Sequence, residues 1–228
     1  MAKEKTKKLY SVITGDIIKS SKLSLDKHKL LIKVMHGCSK EISLVYPGAL
    51  KYEPELFRGD SWQLLIQKPE LALNIALFYR AYLKAKMQLD SIDARMAISV
   101  GTVDFVESSF GVGDAYKVSG KALDKKGKRK IKFVSDRLSD TAVIDLIIQN
   151  TDFISSKWTN KQSKIVLLAL KNKSQREISV KLHITQPAVS QQMDAAGWMI
   201  ISENINYFKS VLVNASKPVT TKIKNKSF

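Results

Sequence analysis

The chain has 228 residues, 44% apolar and 26% charged, and carries a formal net charge of +17 with a pI near 9.8. That length and apolar content support a real core in one or two domains, and the charge favours polyanions through counterion release. A single cysteine, Cys38, excludes an intrachain disulfide and fits a reducing cytoplasm; no apolar run approaches the ~18 residues of a membrane span, and MAKEKTKK lacks the apolar region of a signal peptide.

Residues 10–18, YSVITGDII, read as a β-rich run interrupted by Gly15-Asp16. Residues 25–44 show helical spacing through Leu30, Leu31, Val34, Met35 and Ile42, with Cys38 as a small core residue, and Pro47-Gly48 marks a turn. Two short strands follow at 50–57 and 61–66, joined by Arg58-Gly59-Asp60. Pro69 opens a long helix to about residue 89, apolar at Leu73, Ala76, Leu77, Tyr79, Ala81 and Leu83. Residues 94–103, ARMAISVGTV, alternate as a strand. The order β-α-β-β-α-β is that of a ferredoxin-like α+β domain with helices on one face of an antiparallel sheet. A helix at 113–124 and a strand at 130–135 extend it, and 140–154 predicts a connecting helix.

The segment 174–198, SQREISVKLHITQPAVSQQMDAAGW, reads as a helix-turn-helix. Ser174 and Glu177 form a capping box, Ile178 and Leu182 give an apolar stripe, and His183, Ile184 and Thr185 make the turn. Thr185 caps the second helix, where Pro187 is harmless in the first turn and Val189 and Met193 face inward. Gln186, Ala188, Ser190 and Gln191 then lie outside, at the end that enters a major groove, and Gln pairs with adenine. Thr159 and Gln162 predict another capping box ahead of Ile165, Val166, Leu168, Ala169 and Leu170. Between residues 157 and 191 there are seven Lys or Arg against one Glu, Lys173 among them. The stretch resembles the helix-turn-helix of LysR-type and MarR-type regulators, whose recognition helix often begins with Q-P-A-V-S. An ordinary helical hairpin is the plainer reading of the same pattern.

Asp16 sits near the end of the first strand and Asp60 in the hairpin between the next two. In a β-α-β-β-α-β sheet those strands are neighbours, so the carboxylates can converge on a hard cation such as Mg²⁺ with a phosphate substrate. On spacing alone, Gly-Asp pairs read first as turn chemistry. The blocks ITGDIIKS, RGDSWQLL, ARMAISVG and GVGDAYKVSGKAL occur in the order of the SatD-like family, and resemble more distantly the palm domain of class III nucleotidyl cyclases and diguanylate cyclases. The resemblance spans roughly residues 8–135. It implies that Asp16 and Asp60 hold Mg²⁺ or Mn²⁺, that Ile17, Ile18 and Gly59 lie beside a nucleotide, and that two subunits build the site. Where cyclases place an Asn and, four residues on, an Arg, this chain has Lys117 and Lys121, which keep charge but lose the Arg fork. The remaining lysines of 125–132 read as a solvated basic face.

The expected organisation is a cyclase-like domain at 8–138, a connecting helix at 139–157, a helix-turn-helix domain at 158–213 and a basic flexible tail at 214–228. The expected function is that of a cytoplasmic, homodimeric, DNA-binding transcriptional regulator, binding double-stranded DNA through Lys173, Ser174, Thr185, Gln186, Ala188, Ser190 and Gln191. Its N-terminal domain is expected to sense a nucleotide ligand through Ile17, Ile18, Gly59, Lys117 and Lys121, with weak or absent turnover. The rival is a metal-dependent nucleotidyl cyclase or nucleotidyltransferase with an accessory helix-turn-helix.

Overall fold

The structure, a computed structural model, describes residues 8–52, 56–57, 60–89, 91–107, 110–125, 127–138 and 141–215. Its first strand, β1 (Tyr10–Ile18), passes through Gly15-Asp16 without the expected interruption. The glycine serves packing rather than a turn, because a Cβ there would stand 2.4 Å from the ring of Trp62, which is fully buried and stacked on Tyr79. Helix α1 (Leu25–Val45) is started by Ser24, whose hydroxyl accepts from the Lys27 amide, and buries Leu31, Val34, Met35, Cys38 and Ile42. The strand expected over 50–57 contracts to β2 (Leu56–Phe57), with Leu50 making an isolated bridge to Ile66 of β3 (Ser61–Ile66). A 3₁₀ turn at Pro69–Leu71 leads into α2 (Ala72–Met87), which is buried on nearly every side.

After β4 (Asp93–Gly101) comes a small hairpin, β5 (Phe105–Glu107) and β6 (Phe110–Val112), that the sequence reading did not anticipate. Then follow α3 (Asp114–Asp124) and β7 (Ile131–Val134). The main sheet is ordered β2-β3-β1-β4-β7; its first four strands are antiparallel to their neighbours, and β7 runs parallel to β4.

The two sheet faces are covered unequally. Ile13, Ile17, Leu64, Ile66, Met96 and Ile98 point into a large core shared with α1 and α2. The alternate residues Val12 and Leu65 form a small cluster with Ala115 and Tyr116 of α3, edged by Tyr10, Val103 and Val106.

The chain continues as α4 (Ala142–Ser155), α5 (Asn160–Leu170), α6 (Gln175–Leu182), α7 (Gln186–Ala195) and α8 (Trp198–Ala215). These helices do not hang from the sheet by a free linker. Val166, Leu167 and Leu170 of α5 and Ile201, Ile205, Phe208 and Leu212 of α8 belong to the large core, while Ile165, Leu168 and Ala169 of α5 pack with Ile178, Val189 and Met193. Helix α5 is thus the common wall of two cores. Trp198 begins α8 and packs against both clusters, that of Val189 and Met193 of α7 included. A buried ion network completes the join: Arg80, fully buried, donates Nε to Asp93 at 2.9 Å and Nη1 to Asp152 at 2.9 Å and to Ser155 at 2.6 Å. Lys84 donates to the carbonyls of Ser156 and Trp158, both at 3.1 Å. The network spans α2, β4 and α4, so the expected boundary near residue 139 carries a buried charge cluster across it.

Candidate functional site

Three places hold the residues singled out from the sequence. The first is a corner of the sheet. Register puts Asp16 opposite Ser61 of β3 and Arg95 of β4, and the Asp60 carbonyl accepts from the Ile17 amide at 3.1 Å. The two carboxylates therefore occupy one corner, as their strands require. Each already has donors. Arg95 grips Asp16 with two nitrogens, Nε to Oδ1 at 2.9 Å and Nη2 to Oδ2. Asp60 accepts from the Ser20 hydroxyl at 2.6 Å and, at 3.4 Å, from that of Ser61. The Ile17 amide, expected beside a nucleotide, is engaged by Asp60, and Ile18 pairs with Asp93 in the β1–β4 register; Gly59 lies outside the described residues. Among the described residues no set of three or more His, Cys, Asp and Glu could hold a metal ion. As they stand, the two carboxylates are engaged by a guanidinium and two hydroxyls, with no third His, Cys, Asp or Glu among the described residues to complete a metal set. The cation facing Asp16 is Arg95. Its sequence signal was present, an arginine in the strand expected next to that of Asp16, but it was read only as part of an alternating run.

The second place is a cleft beside α3. Lys117, Lys121 and Lys125 line a cavity of about 740 Å³ together with β7 and the first turn of α4. An adjoining cavity of about 400 Å³ shares Lys125 and adds Lys128, Arg129 and Lys132. Neither Asp16 nor Asp60 lines either cavity. Lys117 and Lys121 thus belong to a different site from the two aspartates. Lys132 donates to the Ala122 carbonyl at 3.0 Å and to that of Lys125, at the negative end of α3. Burial, Arg95 and Lys125 together pull the Lys132 pKa below the usual lysine value, a sign of crowded positive charge.

The third place is the unit formed by α5, α6 and α7. Both capping boxes are formed: Thr159 with Gln162, and Ser174 with Glu177. His183 closes α6 in the left-handed conformation at φ 54°, and Thr185 caps α7 by accepting from the Ala188 amide at 3.3 Å. Each such cap contributes about 1 kcal/mol. Lys173, then the backbone and hydroxyl of Ser174, hold the Glu177 carboxyl down at about 2. Val189 and Met193 are buried, Gln186 and Gln191 are exposed, and Ala188 and Ser190 are half-buried. Ser174 and Thr185, expected at a DNA surface, spend their hydroxyls on helix caps, and Lys173 is paired with Glu177 at 2.7 Å. The outer surface of α7 is therefore carried by Gln186, Ser190 and Gln191.

Comparison with known protein families finds no match, and comparison with curated proteins finds none either. Among solved structures the chain is similar to a guanylyl cyclase, at 13% identity and TM-score 0.41 over 56% of this chain and 75% of that one. It is also similar to two structures described as bacterial light-regulated adenylyl cyclases. One has 18% identity and TM-score 0.37, over 55% of this chain and 42% of that one. The other has 16% identity and TM-score 0.41, over 58% and 44%. The chain spans less than half the length of these two. No helix among the described residues is long and apolar enough to cross a membrane.

Proposed function

We propose that this chain is a sequence-specific duplex-DNA-binding regulator that acts as a homodimer, with a SatD-like sheet domain that binds an effector. The observation that carries the reading is α7: a capped helix, packed through Val189 and Met193, whose first turns show Gln186 and Gln191 to solvent. A three-residue turn that begins with the left-handed His183 joins α6 to α7, the connection length that such a motif uses. The reading rests on this geometry and on the basic charge, not on likeness to any solved protein. Selection from random duplexes at moderate salt tests it. A motif should be enriched, Gln186→Ala and Gln191→Ala should relax it at a cost of ~1–3 kcal/mol per lost bidentate pair, and Lys173→Ala should weaken all sequences alike. Failure to enrich any motif overturns the reading.

A second reading is favoured by the shared corner of Asp16 and Asp60: a metal-dependent nucleotidyl cyclase or nucleotidyltransferase with an accessory helix-turn-helix. It requires Arg95, whose side chain is 47% exposed, to leave Asp16 when a dication and nucleotide arrive. Incubation with ATP or GTP and Mn²⁺ should yield no cyclic product, since positioning groups and preorganised charge supply most of such a barrier reduction. Turnover abolished by Asp60→Asn would replace the first reading with this one.

A further inference from the structure

We propose that the cleft between α3, β7 and the start of α4 binds a small anion carrying several phosphates in a row. This rests on the reading of the sheet domain as an effector-binding unit and moves the effector away from the Asp16–Asp60 corner. The cavities hold six cations, Lys117, Lys121, Lys125, Lys128, Arg129 and Lys132, and three carboxylates, Asp114, Asp136 and Asp145. Most of the carboxylate charge is already spent. Arg137 holds Asp114, and Arg129 holds Asp145 with contacts of 2.7 and 2.9 Å. Lys132 is turned to the end of α3. Among the described residues, Lys117, Lys121, Lys125 and Lys128 have no carboxylate partner, and Asp136 alone stands against the four.

The placement is as informative as the number. Lys117 and Lys121 lie one turn apart on α3, with about 5–6 Å between their Cβ atoms, and Lys125, the extended residue just past the helix end, lines the same cavity. Such a cluster repels itself when empty and suits a ligand with a row of charges better than one with a single charge. The first turn of α4 opens on the same space, and Thr141 gives it no side-chain cap, so the positive end of that helix adds to the field. Val118, Ala122 and Phe133 supply apolar wall to the larger cavity, whose volume lies in the range of small-molecule pockets. A concave site with apolar wall fits a nucleoside triphosphate or an inorganic polyphosphate, whereas a DNA backbone needs an open surface.

The test is titration calorimetry on the full chain with ATP, sodium tripolyphosphate and inorganic phosphate. The first two should bind and the third should be much weaker; tighter ATP assigns the apolar wall to a base, and equal affinities assign the ligand to the polyphosphate class. The double variant Lys121→Glu, Lys125→Glu should lose about tenfold or more in affinity, with Lys121→Gln, Lys125→Gln intermediate. Lys33→Glu, Lys40→Glu on the exposed side of α1 makes the same charge change and should bind as the parent does. Equal loss in that control reduces the effect to net charge and overturns the proposal. So does loss in Asp16→Asn, Asp60→Asn with the α3 variants unaffected, which returns the ligand to the sheet corner. Absence of binding, or competition by duplex DNA for the same lysines, also overturns it. None of these outcomes depends on whether α7 selects a DNA motif, so the two readings fail separately.

Discussion

The two faces of the central sheet solve opposite problems. On one, Ile13, Ile17, Leu64, Ile66, Met96 and Ile98 meet a thick layer of helices, and the charges that enter it, those of Arg80 and Asp93, are paired with each other and with Asp152, Lys84 and Lys130. On the other, α3 covers only part of the surface, and the uncovered end of the sheet carries Asp16, Arg95 and Lys132, with Gln63, Thr14 and Ser119 linked beside them. Both faces come from the same strands, alternating residue by residue. Burial on one side fixes the strands in register, and that register gives the other side its polar constellation beside only a small cluster of its own. A substitution should therefore be judged first by the face on which it falls.

The largest effect is expected on the committed face. Arg80→Leu leaves Asp152 and part of Asp93 buried without their strongest partner and should cost ~3–5 kcal/mol, read from urea unfolding. The same network shapes the acid limb of stability. Burial alone would raise the Asp93 pKa, but Arg80, Lys130 and Lys84 together hold it below the usual carboxylate value. A lowered folded-state pKa contributes stability above the ordinary value of about 4, lost as pH falls through the folded one. Stability should therefore decline on acidification below about pH 4, and Asp93→Asn should flatten that decline. Gly15→Ala comes next at ~1–3 kcal/mol, because the Trp62 ring that blocks its Cβ is itself stacked on Tyr79 and cannot yield. On the other face the effects shrink. Arg95→Ala should cost no more than ~1 kcal/mol, since the pair it breaks is partly solvated. Lys117→Ala should stay within ~0.5 kcal/mol in a thermal melt, and a drop as large as that of Gly15→Ala would erase the distinction between the faces.

Much of this architecture is legible in the residues. Ser174 with Glu177 and Thr159 with Gln162 announce two helix starts through short-range chemistry, and both boxes form as written. The long apolar helix after Pro69 and the alternating run at 94–103 declare themselves by period. The stripe of Ile201, Ile205, Phe208 and Leu212 has the same helical period, but period alone does not say which core it enters. What period cannot supply is partnership across long separations. Arg80 looks like an oddity in an apolar helix until Asp152, 72 residues on, is found beside it. Arg95 meets Asp16 only because β1 and β4 are neighbours, and the cleft needs α3, β7 and α4 together before its lysines become a cluster.

Helix α5 has one more consequence, for anyone who wishes to borrow the α6–α7 pair. A cut between residues 157 and 158, natural on sequence grounds, would strip Val166, Leu167 and Leu170 of their cover and leave the Tyr46 hydroxyl without the Leu170 carbonyl it reaches at 3.0 Å. The fragment would be sticky and the remainder hollow. Chimeras that graft these helices onto another domain must therefore carry α2 with them, or redesign one wall of α5 as a surface. The same beam joins the sheet to α7 through continuous packing, so the two share a wall and are not held by a bare tether.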